Sequence, residues 1–231
     1  MRHKDMGKRQ KPKTCRWFVM VGLLTALAII GGCATGGKHR SKSAPMESAA
    51  GQGPTVAPLP EGRQGFVIRE VPQLGEAARR DFDRAVDLLK EQNYEGAAEL
   101  LETVVEASPG VTAPYINVAI AYRHLEQPEK AEEHLKKALE LVPDHPVACN
   151  EFGLLYRKSG RFDQARAMYE QALARFPDYL PAHRNLGILC DLYLNDLECA
   201  LEHYEIYSRA RPDDEQVQLW IADLRMRLGI H

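Results

Sequence analysis

Five cysteines and eight histidines are the side chains of this 231-residue sequence best equipped for nucleophilic, redox or metal chemistry. Their spacing assembles none of it. His124, His134 and His145 fall on different faces of one helical unit, and His183 and His203 belong to opposite helices of another. There is no His-x-x-x-His, no paired Cys-x-x-Cys and no glycine-rich phosphate loop. The sequence therefore nominates no catalytic residue, no metal ligand and no cofactor, and it reads as a non-enzyme. Cys149 falls in an apolar slot and reads as a core filler. Cys15, Cys33, Cys190 and Cys199 take their meaning from the elements around them.

Met1–Arg16 is basic, with seven Lys/Arg and one acidic residue, and Trp17–Ile30 is apolar. A basic start, an apolar run shorter than the roughly 20 residues that span a bilayer, and small residues before a break form an export-signal pattern. Ile30-Gly31-Gly32-Cys33 resembles a bacterial lipobox, with Ile30 where Leu is more usual. That resemblance implies cleavage before Cys33, diacylation of Cys33 and acylation of the new N-terminus, with palmitate among the expected modifications. Two or three acyl chains hold a protein on a membrane where one is marginal. Ala34, in place of Asp, resembles the outer-membrane sorting pattern. The implied location is the bacterial outer membrane, facing the periplasm. The alternative is an uncleaved signal anchor with an incidental cysteine. Residues 1–32 are thus a leader. Residues 33–75, rich in Gly, Ser, Ala and Pro, read as a flexible tether. Gly65–Val71 is a β-prone exception, either a cap on the first repeat or a docking strand for a partner.

From Thr112 the chain repeats itself. Tyr115, Val118, Ala119, Tyr122, Ala131, Leu135, Ala138 and Pro143 are followed 34 residues on by Cys149, Phe152, Gly153, Tyr156, Ala165, Tyr169, Ala172 and Pro177. A fixed period of this length means stacked units, none able to bury its apolar face alone. Period, slot chemistry and the prolines that stop each second helix resemble the tetratricopeptide repeat. The implied fold is all-α, a right-handed superhelix of about four helix-turn-helix repeats with a C-terminal capping helix. The expected domain covers 76–231, with repeats at about 78–111, 112–145, 146–179 and 180–214 and a cap at 214–228. The first copy is weak, with Asp81 and Arg84 in slots that usually hold bulky apolar residues. The fourth is one residue longer between its helices and lacks the turn glycine found at Gly160. Cys190 and Cys199 flank that turn. Export would put them in an oxidising compartment, so they are either a disulfide or two buried thiols.

In such a stack the first helix of each pair lines the concave side. The expected groove comprises Phe82, Val86, Ile116, Asn117, Ile120, Arg123, Asn150, Leu154, Arg157, Arg184, Asn185 and Ile188. Val86, Ile120, Leu154 and Ile188 recur every 34 residues as an apolar ladder edged by Asn and Arg, which suits an extended peptide. The alternative is that these aliphatics pack on one another or under the Phe66 segment. The Lys/Asn/Lys/Arg set by which related clamps grip a terminal carboxylate is matched here only by Asn117.

Beyond the leader, 23 basic residues stand against 31 acidic ones. No basic run with interleaved aromatics occurs there, which argues against nucleic acid. The expected function is a non-catalytic scaffold that binds a protein partner in the cell envelope, with its oligomeric state left open. Small lipoproteins of similar layout include pilotin-type proteins of type IV pili, adaptors for periplasmic proteases and accessory parts of TonB-type systems. Asn185-Leu186-Gly187 together with Trp220–Leu224 looks like the last of these. A carrier or sensor of a small apolar ligand is the alternative.

Overall fold

The structure is a computed structural model, and it describes residues 55–58, 66–69 and 73–230. The leader, Cys33 and most of the expected tether lie outside the described residues. Within the tether are two short strands, β1 (Thr55–Pro58) and β2 (Phe66–Arg69), paired antiparallel with Val56 opposite Ile68. The β-prone segment is therefore one half of a hairpin. Its partner strand was hidden because Thr55-Val56-Ala57 is a brief β-forming run inside a Gly/Pro-rich composition.

Among the described residues nine α-helices follow: α1 (Glu76–Lys90), α2 (Tyr94–Ala107), α3 (Thr112–His124), α4 (Pro128–Leu141), α5 (Pro146–Lys158), α6 (Phe162–Arg175), α7 (Leu180–Leu189), α8 (Leu197–Ala210) and α9 (Glu215–Leu228). They form four antiparallel pairs and a closing helix, an all-α stack of superhelical repeats. Each second helix stops two residues before a proline: Pro109, Pro143, Pro177 and Pro212. Proline lacks the N–H that a further helical turn would need. Asn93, His145, Asp196 and Asp214 cap the starts of α2, α5, α8 and α9, each side chain accepting a backbone N–H three residues on.

Pairing within a unit is set by one small residue facing one large one. A Cβ added at Gly153 would lie 2.3 Å from the Tyr169 ring, and one at Gly187 would lie 2.6 Å from the Tyr204 ring. Both tyrosines are buried. In the second repeat the same two slots hold Ala119 and Leu135, so a larger small residue meets a smaller large one. Weakness at the start of the stack is real: α1 buries only Phe82 and Ala85, Arg84 is exposed and Asp81 half-buried.

The extra residue of the fourth repeat is absorbed at the end of α7 by a π-helical segment, Cys190–Leu194. Asn195 then turns the chain at φ 52°, a left-handed conformation that Asn tolerates better than most residues. Cys190 and Cys199 are joined across this turn as a disulfide with Cα atoms 6.0 Å apart. Cys149 is a buried free thiol, and burial pushes its pKa up to about 12, so it has no nucleophilic character at neutral pH.

Candidate binding groove

The first helices α1, α3, α5 and α7 stand side by side, and the ladder runs across them. Val86, Ile120, Leu154 and Ile188 are each half-buried. Val86, Ile120 and Ile188 lean on the core beneath while keeping part of their surface outside.

Three residues expected in the groove lie elsewhere. Phe82, Ile116 and Asn150 are 3%, 4% and 4% exposed. They occupy one slot of successive repeats, four residues before the ladder position. That slot is covered where one first helix packs on the next, so these side chains stack the repeats and offer nothing to a ligand. Asn150 is satisfied there by Asn185, whose Nδ2 donates to Asn150 Oδ1 at 2.8 Å. Asn117 donates to its own helix at the Ala113 carbonyl, also at 2.8 Å. The asparagines are thus committed largely to the scaffold.

The arginines divide into two kinds. Arg123 is held by Glu151, with Nη2 3.1 Å and Nε 3.2 Å from the same carboxylate oxygen, across α3 and α5. Both side chains are largely buried, at 17% and 12% exposure, so this charge is spent inside the protein. Arg157 and Arg184 have no carboxylate partner among the described residues. Arg157 lies over the Tyr193 ring at 5.8 Å, and Arg184 lies over the Trp220 indole at 5.2 Å, with Trp220 itself against Tyr204. Arg184, seated on an aromatic face, keeps hydrogen-bond donors available to an incoming acceptor, whereas Arg157 also interacts with the Tyr169 hydroxyl.

Sequence reasoning missed the aromatic supports. Tyr193 and Leu192 are exposed because the π-helical segment turns them outward. The one-residue insertion was visible, but its consequence was not. Trp220 comes from α9, whose last turn is pinned to the end of α7 by Arg227 Nη1, 2.7 Å from Asp191 Oδ1.

No site of catalytic character emerges among the described residues. The grouping nearest to metal-ligand geometry, Cys190, Asp196 and Cys199, has its two sulfurs bonded to each other. Arg166 closes that corner with an ion pair to Asp196 at 2.6 Å, which holds the Asp196 carboxyl below its ordinary pKa. His183 and His203 meet with Nδ1 atoms 3.0 Å apart, and His183 Nε2 lies 2.6 Å from the Pro177 carbonyl. Burial lowers both pKa values, and the pair joins α7 to α8 as neutral rings.

Family models described as tetratricopeptide repeat match residues 110–178 and 156–224. From α3 onward, over residues 110–224, the helix pairs are tetratricopeptide repeats. Among curated proteins, the chain is 41% identical over 129 residues to the human interferon-induced protein with tetratricopeptide repeats 2, covering 50% of this chain and 27% of that one. It is 33% identical over 117 residues to the photosystem I assembly protein Ycf3 of Synechococcus sp. (strain CC9605), covering 45% and 64%. The chain therefore spans less than two thirds of either relative. Among solved structures, Pseudomonas aeruginosa pilF superposes with a TM-score of 0.61 at 22% identity, over 67% of this chain and 70% of that one. At that identity the likeness concerns the fold alone.

Proposed function

We propose that this protein is a non-catalytic, membrane-anchored scaffold that holds an extended segment of a protein partner in its concave groove, in the assembly or operation of a bacterial envelope machine. One observation carries the binding role: a half-exposed aliphatic ladder beside two arginines that lack carboxylate partners among the described residues. Apolar side chains of the partner would seat on Ile120, Leu154 and Ile188, while Arg157 and Arg184 would meet its carbonyls or acidic groups. An open row edged with cations suits a peptide better than a small apolar ligand, which needs enclosure. Support for the anchor is the basic–apolar–Gly-Gly-Cys33 leader, and support for an assembly role is the relative named for photosystem assembly. A pilus, secretion or TonB-type setting belongs to the same proposal.

The test is affinity capture of the tagged chain from crosslinked envelopes, beside Leu154→Glu/Arg157→Ala. These positions are half-buried, so helical circular dichroism should be unchanged while a partner captured by the native chain falls at least tenfold. An unchanged partner list would move the binding surface off the groove. Cys33→Ser tests the anchor. Labelled palmitate incorporation and membrane fractionation should both be lost, and their persistence would exclude the lipoprotein reading.

A further inference from the structure

The repeat register singles out one groove arginine as incomplete. Arg123 is matched across α3 and α5 by Glu151, its carboxylate partner at 3.1 Å. One repeat on, 34 residues later, the same two positions hold Arg157 and Asn185. Asn185 is uncharged and is already bonded to Asn150. Arg157 therefore stands where the preceding arginine takes a carboxylate, and the chain supplies none among the described residues. Arg184, one turn before Ile188 on α7, also lacks one.

A third polar group meets these two cations from the second layer of helices. The ring of Tyr204 on α8 lies against Gly187 of α7, and it touches Trp220, the indole beneath Arg184. Tyr204 is 1% exposed, and its hydroxyl has no hydrogen-bond partner among the described residues. Buried polar groups are nearly always hydrogen-bonded, so an unpaired one beside a groove marks a place for a ligand atom. Burial pushes the Tyr204 pKa up, Asp191 adds to the rise, and Arg184 and Arg157 oppose it. The phenol thus stays protonated at neutral pH and can donate. Asp191 itself is committed to Arg227 at 2.7 Å.

We infer that the partner segment carries an acidic side chain whose carboxylate is received between α5 and α7 by Arg157, Arg184 and the Tyr204 hydroxyl, with its apolar neighbours on Leu154 and Ile188. The inference rests on the groove reading above and narrows the partner's chemistry. All three groups donate, and an ionised carboxylate only accepts, whereas a stretch of backbone presents donors and acceptors alike. Beyond the leader the chain carries 31 acidic residues against 23 basic ones, so two unneutralised guanidiniums form a local attraction for an anion on an acidic protein. The carboxylate belongs to a side chain and not to a chain terminus: of the set that grips a terminal carboxylate only Asn117 is present, and it is bonded to its own helix. The second repeat, with Ala119 and Leu135 in place of a glycine and a tyrosine, offers no phenol, and its arginine is already matched. Tyr204 is thus a specificity residue contributed by a second helix.

The test uses the full chain in mild detergent, immobilised and panned with a phage library of random peptides displayed without a free C-terminus. Recovered peptides should share an Asp or Glu flanked by apolar residues. For a recovered peptide synthesised with an amidated end, exchanging that residue for its amide should weaken binding about tenfold or more. Arg184→Gln should remove most of the difference between the two peptides. Tyr204→Phe keeps the ring against Gly187 and should narrow the difference about threefold. Unchanged helical circular dichroism shows both variants folded. Peptides that are lost with Leu154→Glu yet carry no acidic residue, or bind equally after the amide exchange, overturn this inference and leave the groove standing. Peptides indifferent to Leu154→Glu, or no enrichment at all, overturn the groove reading and this inference with it.

Discussion

His145 combines a helix cap with a proton-sensitive group. Its Nδ1 accepts the Ala148 N–H at 3.3 Å, which requires that nitrogen to be unprotonated, and the ring is fully buried. Burial lowers its pKa from 6.5 to about 4. The unfolded chain would take up this proton near pH 6.5, so the native state binds fewer protons between those values. Stability is then fully present above pH 6.5 and falls as pH drops toward 4, by an amount on the order of 3 kcal/mol. His183 and His203, also lowered, act in the same direction. Glu132 and Asp196 are held below the ordinary carboxylate range, so their stabilisation is intact at neutral pH and is lost only in more acidic solution, and the interval from pH 6.5 to 5 reports the histidines. His145→Asn keeps a capping acceptor without the titration. Guanidinium melts at pH 7 and pH 5 should differ less for this variant than for the native chain, and an equal difference would remove His145 from the account.

The same economy governs the pairing of elements. Gly153 against Tyr169 and Gly187 against Tyr204 set how closely α5 meets α6 and α7 meets α8, whereas Ala119 against Leu135 solves the problem for α3 and α4 with the sizes exchanged. A methyl group at position 153 has no room, and overpacking of this kind costs about 1–3 kcal/mol. Gly153→Ala should lower the chemical-denaturation midpoint accordingly. Adding Tyr169→Leu should restore part of that loss, since it recreates the pairing already present one repeat earlier. If the two substitutions are simply additive, the Gly–Tyr contact is not what fixes the approach.

At the scale of the whole molecule, a stack in which each unit touches its neighbours has stability distributed along its length. The first helix buries two residues and the last three, whereas α5 buries ten. Native-state hydrogen exchange should therefore show α1 opening at the lowest free energy and α3–α6 only near global unfolding. Uniform protection would mean the array behaves as one cooperative block. The repeat period, the helix pairs, the breakers and the ladder were legible in the amino-acid order, because a 34-residue periodicity of size and polarity leaves few other ways to bury an apolar face. The chain order also marked the one-residue insertion and the cysteines flanking it. It did not reveal which face of each first helix was already taken. Phe82, Ile116 and Asn150 read as groove residues because they adjoin the ladder on a helical wheel, and only the packing of successive repeats shows them covered. Likewise Arg123 and Arg157 occupy the same slot one repeat apart, yet Glu151 neutralises the first and Tyr193 merely supports the second. Periodicity is a property of one chain segment and can be read from it. Burial and charge pairing depend on what a neighbouring segment brings, and that was decided only when the repeats stacked.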